Sequence, residues 1–432
     1  MSSLTERYAA SLLHLQRAEQ VIPLGSQTFS KSRTQYPVGA APFFAERSLG
    51  SHTWDIDGNE YVDLVSSLGA VALGYGDPEI NEAVIKQLHD GVTLSLSHTI
   101  EADVAERMVE LIPCAEMVRF AKNGSDATSA AIRLSRAFTG RDHIVVCGYH
   151  GWQDWFIGST SMNLGVPDEV RRLTHSIPFN DIESLKSVLK EFPGQIAAMI
   201  MEPMTSTWPN EGYLQAVRDI TAKHGIVLVF DEMLTGFRFA AGGAQEYFGV
   251  TPDLAAFGKA LANGFPLSAI AGRADILNVM PRIFFSGTFG GETLSLTAAR
   301  VVLDRMKSGI PTDRLAELGD DLIARIDARR DDRSKAFLEF SGHPSWIFQQ
   351  WRIEDPEVLA QAKTLFLQEM LRRGVLVLNT HDVTTAFESV DLDTAAVAYA
   401  ESLAILGDAL DSGTMHEVLE CEPIRPLFRV RS

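Results

Sequence analysis

Between about residue 100 and residue 310 the chain repeats one pattern, a short apolar run followed by an amphipathic helical stretch. The runs "MVRFAK", "HIVVCG", "IAAMIME", "IVLVFDE" and "LSAIAG" are too short for buried helices and read as strands. A helix between two strands acts as a crossover, so neighbouring strands come to lie parallel. The pattern therefore predicts an α/β fold with a mostly parallel central sheet flanked by helices. Upstream, "TWDIDGNEYVDL" alternates and turns at Asp57-Gly58-Asn59, the mark of a hairpin, and "EINEAVIKQLHDG" reads as a helix that Gly91 ends. Downstream, "PTDRLAELGDDLIARIDARRDDRS" is a charged amphipathic helix, with strand candidates "SWIFQQWRI" and "GVLVL" behind it. At 432 residues the chain exceeds one small core. The expected division is a large domain over residues 66–310 and a smaller α+β domain over 311–432. A segment over 1–65, opened by a helix carrying Tyr8, Leu12, Leu15 and Val21, joins the smaller domain.

A formal charge of −18 without any compact Lys/Arg block repels phosphate backbones and anionic lipid, so neither nucleic acid nor a membrane surface is an expected partner. No stretch approaches the roughly 18 apolar residues of a spanning helix. Glu6, Arg7, Gln16, Arg17, Glu19 and Gln20 interrupt what would be the apolar part of a leader. Cys114, Cys147 and Cys421 are odd in number and far apart, which suits a reducing cytoplasm. The eleven histidines form no H-E-x-x-H or Cys/His cluster, and no metal site is expected.

Four stretches carry groups that could do chemistry. "IVLVFDE" ends on Asp231 and Glu232 at the carboxyl end of a parallel strand, where ligands of such sheets sit. A pair of this kind commonly only caps the next turn. The rival, a magnesium-binding acid of a nucleotide hydrolase, needs a G-x-x-x-x-G-K-[ST] loop, and Gly258-Lys259 is followed by Ala260. Lys259 lies between Phe257 and Ala260, and an amine in apolar surroundings can form a Schiff base with an aldehyde. Its bland alternative is a surface lysine with its head in water. In "KNGSDATSAAIRLSRAF" a turn at Asn123-Gly124 leads into a helix starting near Ser125, whose amides could receive a phosphate; "FFSGTFGGE" offers Ser286, Thr288 and glycine amides to the same kind of ligand. "CGYHGWQDW" sets Tyr149, His150, Trp152 and Trp155 in one loop, as stacking rings or as interior plugs.

One cofactor uses a phosphate cradle, a stacking ring, a carboxylate for a ring nitrogen and a Schiff-base lysine together: pyridoxal 5'-phosphate. With these residues in place the chain resembles the class III aminotransferases of fold type I, especially the branch around glutamate-1-semialdehyde aminomutase. The similarity runs from "WDIDGNEYVDL" into the small domain. Its most specific stretch, "FDEMLTGFRFAAGGAQEYFGVTPDLAAFGK", sets Asp231 and Lys259 28 positions apart. The resemblance implies that Lys259 forms the Schiff base with the cofactor and that Asp231 meets the pyridine nitrogen. It implies further that Gly124 and Ser125 hold the phosphate, that Tyr149 stacks on the ring, and that Glu202 in "MIMEPM" lies near the cofactor. Thr288 matches the residue that reaches the phosphate from a neighbouring subunit, which implies a homodimer with shared active sites.

Around the substrate the sequence departs from the aminomutase. An Arg in a "SPVRAF"-like context is replaced by "GSQTFSKSR", where Lys31 or Arg33 could substitute, and the Trp of a "GSWGP"-like stretch is Leu68 in "SSLGA". The loop after Thr288 reads "GGETLSL" where the family usually shows Gly-Asn-Pro. These departures imply an amine donor and a carbonyl acceptor other than glutamate semialdehyde. Together with a tail reading "IRPLFRVR", they resemble aminomutase-like enzymes of surface-sugar or other secondary pathways, in which Trp152 and Trp155 could floor a sugar ring. An intramolecular aminomutase acting on an amino aldehyde, and a non-catalytic cofactor-binding homologue, stay open as alternatives.

Overall fold

The computed structural model describes residues 4–425, so most of the "IRPLFRVR" tail lies outside the described residues. Among the described residues the chain forms two units, one over 78–313 and the other combining residues 4–77 with 314–425.

A seven-stranded sheet organises the first unit. Its strands lie in the spatial order Met117–Ala121, Ser268–Gly272, Leu254–Phe257, Val227–Asp231, Ile196–Met201, His143–Cys147 and Thr174–Ser176. Only Ser268–Gly272 runs against the rest, pairing antiparallel with both neighbours, so the other six share one direction and one carboxyl edge. All residues of Ile196–Met201 and Val227–Asp231 are buried, because helices cover both faces of the sheet. That double burial is why these strands read as unbroken apolar runs. Two strands were invisible to the sequence pattern. Thr174–Ser176 has three residues, and "LAAF" at Leu254–Phe257 has no β-branched residue, so neither carries a strand signature.

In the second unit the hairpin forms as its sequence predicts. His52–Asp55 pairs antiparallel with Glu60–Asp63, and Asp55 Oδ1 accepts the turn amides of Asp57 at 3.0 Å and Asn59 at 2.8 Å. The sequence-based boundary at 65/66 differs from the observed one at Asp77. Ser66 Oγ donates to Asp382 O at 2.6 Å and the Thr385 amide donates to Ala72 O at 2.8 Å, bonds that hold residues 66–77 in the second unit.

Three successive non-glycine residues, Ser66, Ser67 and Leu68, have φ of 43°, 51° and 61°. Each costs on the order of 1 kcal/mol in the left-handed region. Buried Asp63 offsets part of that cost, its Oδ1 accepting the Val65 amide at 2.8 Å and the Ser66 amide at 3.0 Å.

The core of this unit also contains a titratable group. His381 is buried with Nε2 against the Tyr399 hydroxyl, which accepts from Gln349 Nε2 at 2.7 Å. Burial pushes its imidazole down from 6.5 to about 4. The folded state therefore favours neutral His381, while the unfolded chain takes up the proton first as pH falls. The stability gained is whole above pH 6.5 and is lost between there and about 4, to the extent of about 3 kcal/mol. Denaturant midpoints measured across this window should fall more steeply for the wild type than for His381→Gln. Parallel profiles would remove this role.

Candidate active site

Every group singled out along the parallel strands comes to their shared carboxyl edge. Asp231 ends its strand in register with Ala256, and Lys259 follows three residues later, just past Phe257. Glu202 follows Met201, Tyr149 and His150 follow Cys147, and Asn123-Gly124 follow Ala121. Parallel strands place these loops side by side, although 136 positions separate Asn123 from Lys259.

Close packing draws the loops together. A β-carbon on Gly124 would lie 2.9 Å from Met233 Sδ, and one on Gly258 would lie 2.7 Å from the same sulfur. Both distances are too short for a real side chain, so the two glycines let the start of the helix Gly124–Thr139 and the Lys259 turn close onto the loop after Asp231. The helix start is closed by a reciprocal pair of bonds between Asn123 and Asp126, which leaves the first-turn amides as donors at its positive end. Across from it, a β-carbon on Gly151 would lie 2.3 Å from Ser125 Oγ. Thr128 Oγ1 donates to His150 O at 2.9 Å, so the 148–152 loop is fastened to the same helix.

Each acid has its own surroundings. Asp231 is buried, with Oδ1 accepting the Met233 amide at 3.1 Å and Oδ2 2.8 Å from His150 Nδ1. Glu232 faces elsewhere: fully buried, it accepts from Thr235 Oγ1, from the Ala244 amide at 2.8 Å and from the Gln245 amide at 3.0 Å. Burial pushes its carboxyl up, against the pull of those hydrogen bonds. Glu202 is buried beneath the tyrosine loop and accepts the Tyr149 amide at 3.0 Å. Lys259 is half-buried and has φ of 47°, an uncommon backbone for a residue with a β-carbon.

The remaining candidates divide. Thr288 is exposed and borders a cavity of about 800 Å³ with Ser95, Lys122, Asn123 and Asp126, so the 284–292 loop comes to the helix start. Trp152 is 66% exposed. Trp155 is 8% exposed, packs against Phe156 and donates from Nε1 to Ser129 Oγ at 2.9 Å, a geometry that gives it to the interior. In the other unit, Lys31 Nζ lies 3.5 Å from Ser67 Oγ, bordering a cavity of about 310 Å³ with Leu68, while Arg33 is engaged by Glu19 at 2.9 Å. In the sequence His150 is one ring among four in its loop, with nothing local to mark it. Its contact with Asp231 spans 81 positions and has no local signature.

Pyridoxal 5'-phosphate fits this donor set. The glycine-lined helix start offers amides to a phosphate, a ring lies in the adjoining loop, a buried carboxylate ends one strand and a lysine follows the end of its neighbour.

Known proteins agree with that chemistry. The profile of the aminotransferase class-III family matches residues 35–390. A 3-aminobutyryl-CoA aminotransferase of Cloacimonas acidaminovorans is 32% identical over 408 residues, 92% of this chain and 97% of that protein. A glutamate-1-semialdehyde 2,1-aminomutase of Methanothermobacter thermautotrophicus is 38% identical over 361 residues, 78% of this chain and 85% of its own length. The solved FumI protein of Sphingopyxis sp. MTA144, in its pyridoxal-phosphate internal aldimine form, superposes with a TM-score of 0.87 at 27% identity, covering 96% of this chain and 99% of that one. With that profile over most of its length and a fold shared with pyridoxal-phosphate transaminases, the chain belongs to the class-III aminotransferases, fold type I enzymes that work with pyridoxal 5'-phosphate.

Proposed function

We propose that this enzyme moves an amino group from an external amine donor to a carbonyl acceptor, with Lys259 and Asp231 as its catalytic residues. The observation that carries the reading is the packing of Met233, on the loop after Asp231, against both Gly124 and Gly258, which sets the helix start, the Asp231 loop and the Lys259 turn beside one another. Pyridoxal 5'-phosphate, when bound, supplies an aldehyde that condenses with amines and a protonated ring that withdraws electrons from the neighbouring C–H bond. Asp231 holds a fixed negative charge for that ring nitrogen inside a water-poor site. Lys259 Nζ is the covalent anchor and, once displaced by substrate, the base and then the acid for the migrating proton. Gly124 and Ser125 amides hold the phosphate, the Tyr149 ring covers the cofactor, and Glu202 steadies the tyrosine loop through the Tyr149 amide.

The chain acts as a homodimer in the reducing cytoplasm, with Thr288 of each subunit serving the neighbouring site. Support comes from exposed apolar side chains near Thr288, namely Leu96, Phe284 and Phe289 at 84%, 85% and 59% exposure. Cys114, Cys147 and Cys421 are all free thiols, which suits such a compartment. A monomeric mass in sedimentation equilibrium would remove the dimer.

For the substrate, Lys31 beside Ser67 supports an anionic group on one partner, whereas Arg33 is held by Glu19. Exposed Trp152 supports an acceptor with a flat polar face, such as a sugar. The second reading, an aminomutase acting within one amino aldehyde, is favoured by the 38% identity to the Methanothermobacter enzyme. Incubating the holoenzyme with glutamate semialdehyde alone, and separately with donor and acceptor pairs, separates the two. The proposal expects product only when donor and acceptor are both present. Formation of 5-aminolevulinate without a donor would overturn it, and a cofactor spectrum that no amine changes would point to a non-catalytic protein.

A further inference from the structure

Two cations of one edge of the sheet reach the loop over residues 284–292. Arg119, within the strand Met117–Ala121, donates from Nη2 to Phe285 O at 3.3 Å. Lys122, the first residue past that strand, pairs through Nζ with Glu292 Oε1 at 2.6 Å. The loop is thus held near both ends, and Thr288 lies between the two ties. Lys122 also directly precedes Asn123, the residue that caps the helix Gly124–Thr139. The Lys122–Glu292 pair therefore joins the approach to that helix start to the end of the Thr288 loop.

The pair is sheltered, with side-chain exposures of 19% and 11%. Glu292 is a fixed partner because it also caps the largely buried helix Thr293–Met306, Oε2 accepting the Leu294 amide at 2.9 Å and Oε1 the Ser295 amide at 3.1 Å. Burial pushes its carboxyl up, but the bonds from Lys122 and Ser295 outweigh burial and hold it below its ordinary value. A carboxylate pinned by two helix amides gives the ammonium one direction to point, and partial desolvation strengthens the attraction. Beside it the loop is tightly packed, since a β-carbon on Gly291 would lie 2.6 Å from Glu101 Oε1. The carboxylate falls in the stretch, Gly291-Glu292-Thr293, where this loop departs from the Gly-Asn-Pro usual in the family.

We infer that Lys122 is a positioning residue for the cofactor phosphate: through Glu292 it fixes the Thr288 loop relative to the Gly124 helix start. The two-fold symmetry of a dimer carries that placement to the neighbouring site. Lys122 does not itself meet the phosphate, because its charge is taken by Glu292. The inference rests on the reading of Gly124 and Ser125 as the residues that hold the phosphate.

Two ligands that differ only in the phosphate supply the test. The full-length chain, freed of cofactor, is titrated with pyridoxal 5'-phosphate and with pyridoxal, and the ratio of the two dissociation constants reads the phosphate contacts alone. Wild type should bind the phosphorylated form about 100-fold more tightly, the value of a few bonds to a charged group. Lys122→Met keeps the stem, and Glu292→Gln keeps an oxygen for the helix amides. Each should shrink the ratio by about 10-fold, the order of one such bond, while pyridoxal stays within about twofold of wild type. Lys122→Arg should keep the ratio to within about threefold, since the charge remains although its geometry differs. Both substitutions together should be no worse than either alone, because one pair is broken only once. If Lys122→Met does not fold, Glu292→Gln and Lys122→Arg decide. The inference is overturned if Glu292→Gln tightens the phosphorylated form, since a released Lys122 would then be its direct ligand. It is equally overturned if the ratio does not change, if both ligands weaken alike, or if the two single losses multiply in the double variant. A wild type that binds both ligands equally would remove the phosphate role of Gly124 and Ser125 instead, a separate outcome.

Discussion

Lys259→Ala is expected to lower turnover by about 10,000-fold, at the upper end of what a positioned acid–base group contributes. The substitution is clean for a backbone reason. Lys259 has φ of 47°, and Ala meets the same left-handed cost as Lys, so the turn is kept while the amine is removed. Gly258, packed against Met233 Sδ, stays as it is. Two measurements accompany the rate. Borohydride should fix the cofactor onto the wild-type peptide containing residue 259 and onto nothing in the variant, as read by mass spectrometry. Cofactor affinity should fall, though the phosphate contacts at Gly124 and Ser125 remain. Turnover within tenfold of wild type, or cofactor fixed to another lysine, would remove Lys259 from the centre of the mechanism.

Asp231→Asn is expected to cost about 1,000-fold in kcat, comparable to deleting a preorganised electrostatic contact in an active site. The shape is nearly unchanged, but the fixed charge disappears. The bonding also degrades, because one amide oxygen cannot accept both from the Met233 amide and from His150 Nδ1, where the carboxylate serves both. Stability should fall by about 1 to 3 kcal/mol for the donor left unsatisfied in a buried place. A rate loss much larger than that stability loss, with circular dichroism like the wild type, distinguishes an electrostatic role from a structural one. Glu232→Gln is the natural control, since the Glu232 carboxylate accepts from Thr235, Ala244 and Gln245 and its loss should affect folding far more than the pH profile of the cofactor.

What could be read before the structure follows the range of the forces involved. Val227–Asp231 and Ile196–Met201 were legible as strands because burial on both faces leaves a continuous apolar run. Leu254–Phe257 was not, because "LAAF" has no local preference and is a strand only through its neighbours, Val227–Asp231 on one side and Ser268–Gly272 on the other. The reversed direction of Ser268–Gly272 was equally hidden, since its composition matches that of the parallel strands. Adjacent acids such as Asp231 and Glu232 commonly cap the next turn, and Thr235 in that turn is among the donors to Glu232. Its bonds to Ala244 and Gln245 lie 12 and 13 positions away and needed the fold.

The sequence by itself determined the class of the sheet, the edge on which functional groups would gather, and the residue types that one cofactor requires. Those features are local: strand periodicity, glycine at a helix start, an acid at the end of an apolar run. Only the tertiary structure decided which groups touch. It turned Trp155 inward, gave Arg33 to Glu19, drew the Gly124 and Gly258 loops onto one sulfur, and paired His150 with Asp231. Each of those outcomes depends on how strands far apart in the chain lie beside one another, and close packing fixes such contacts without leaving a periodic trace in the sequence.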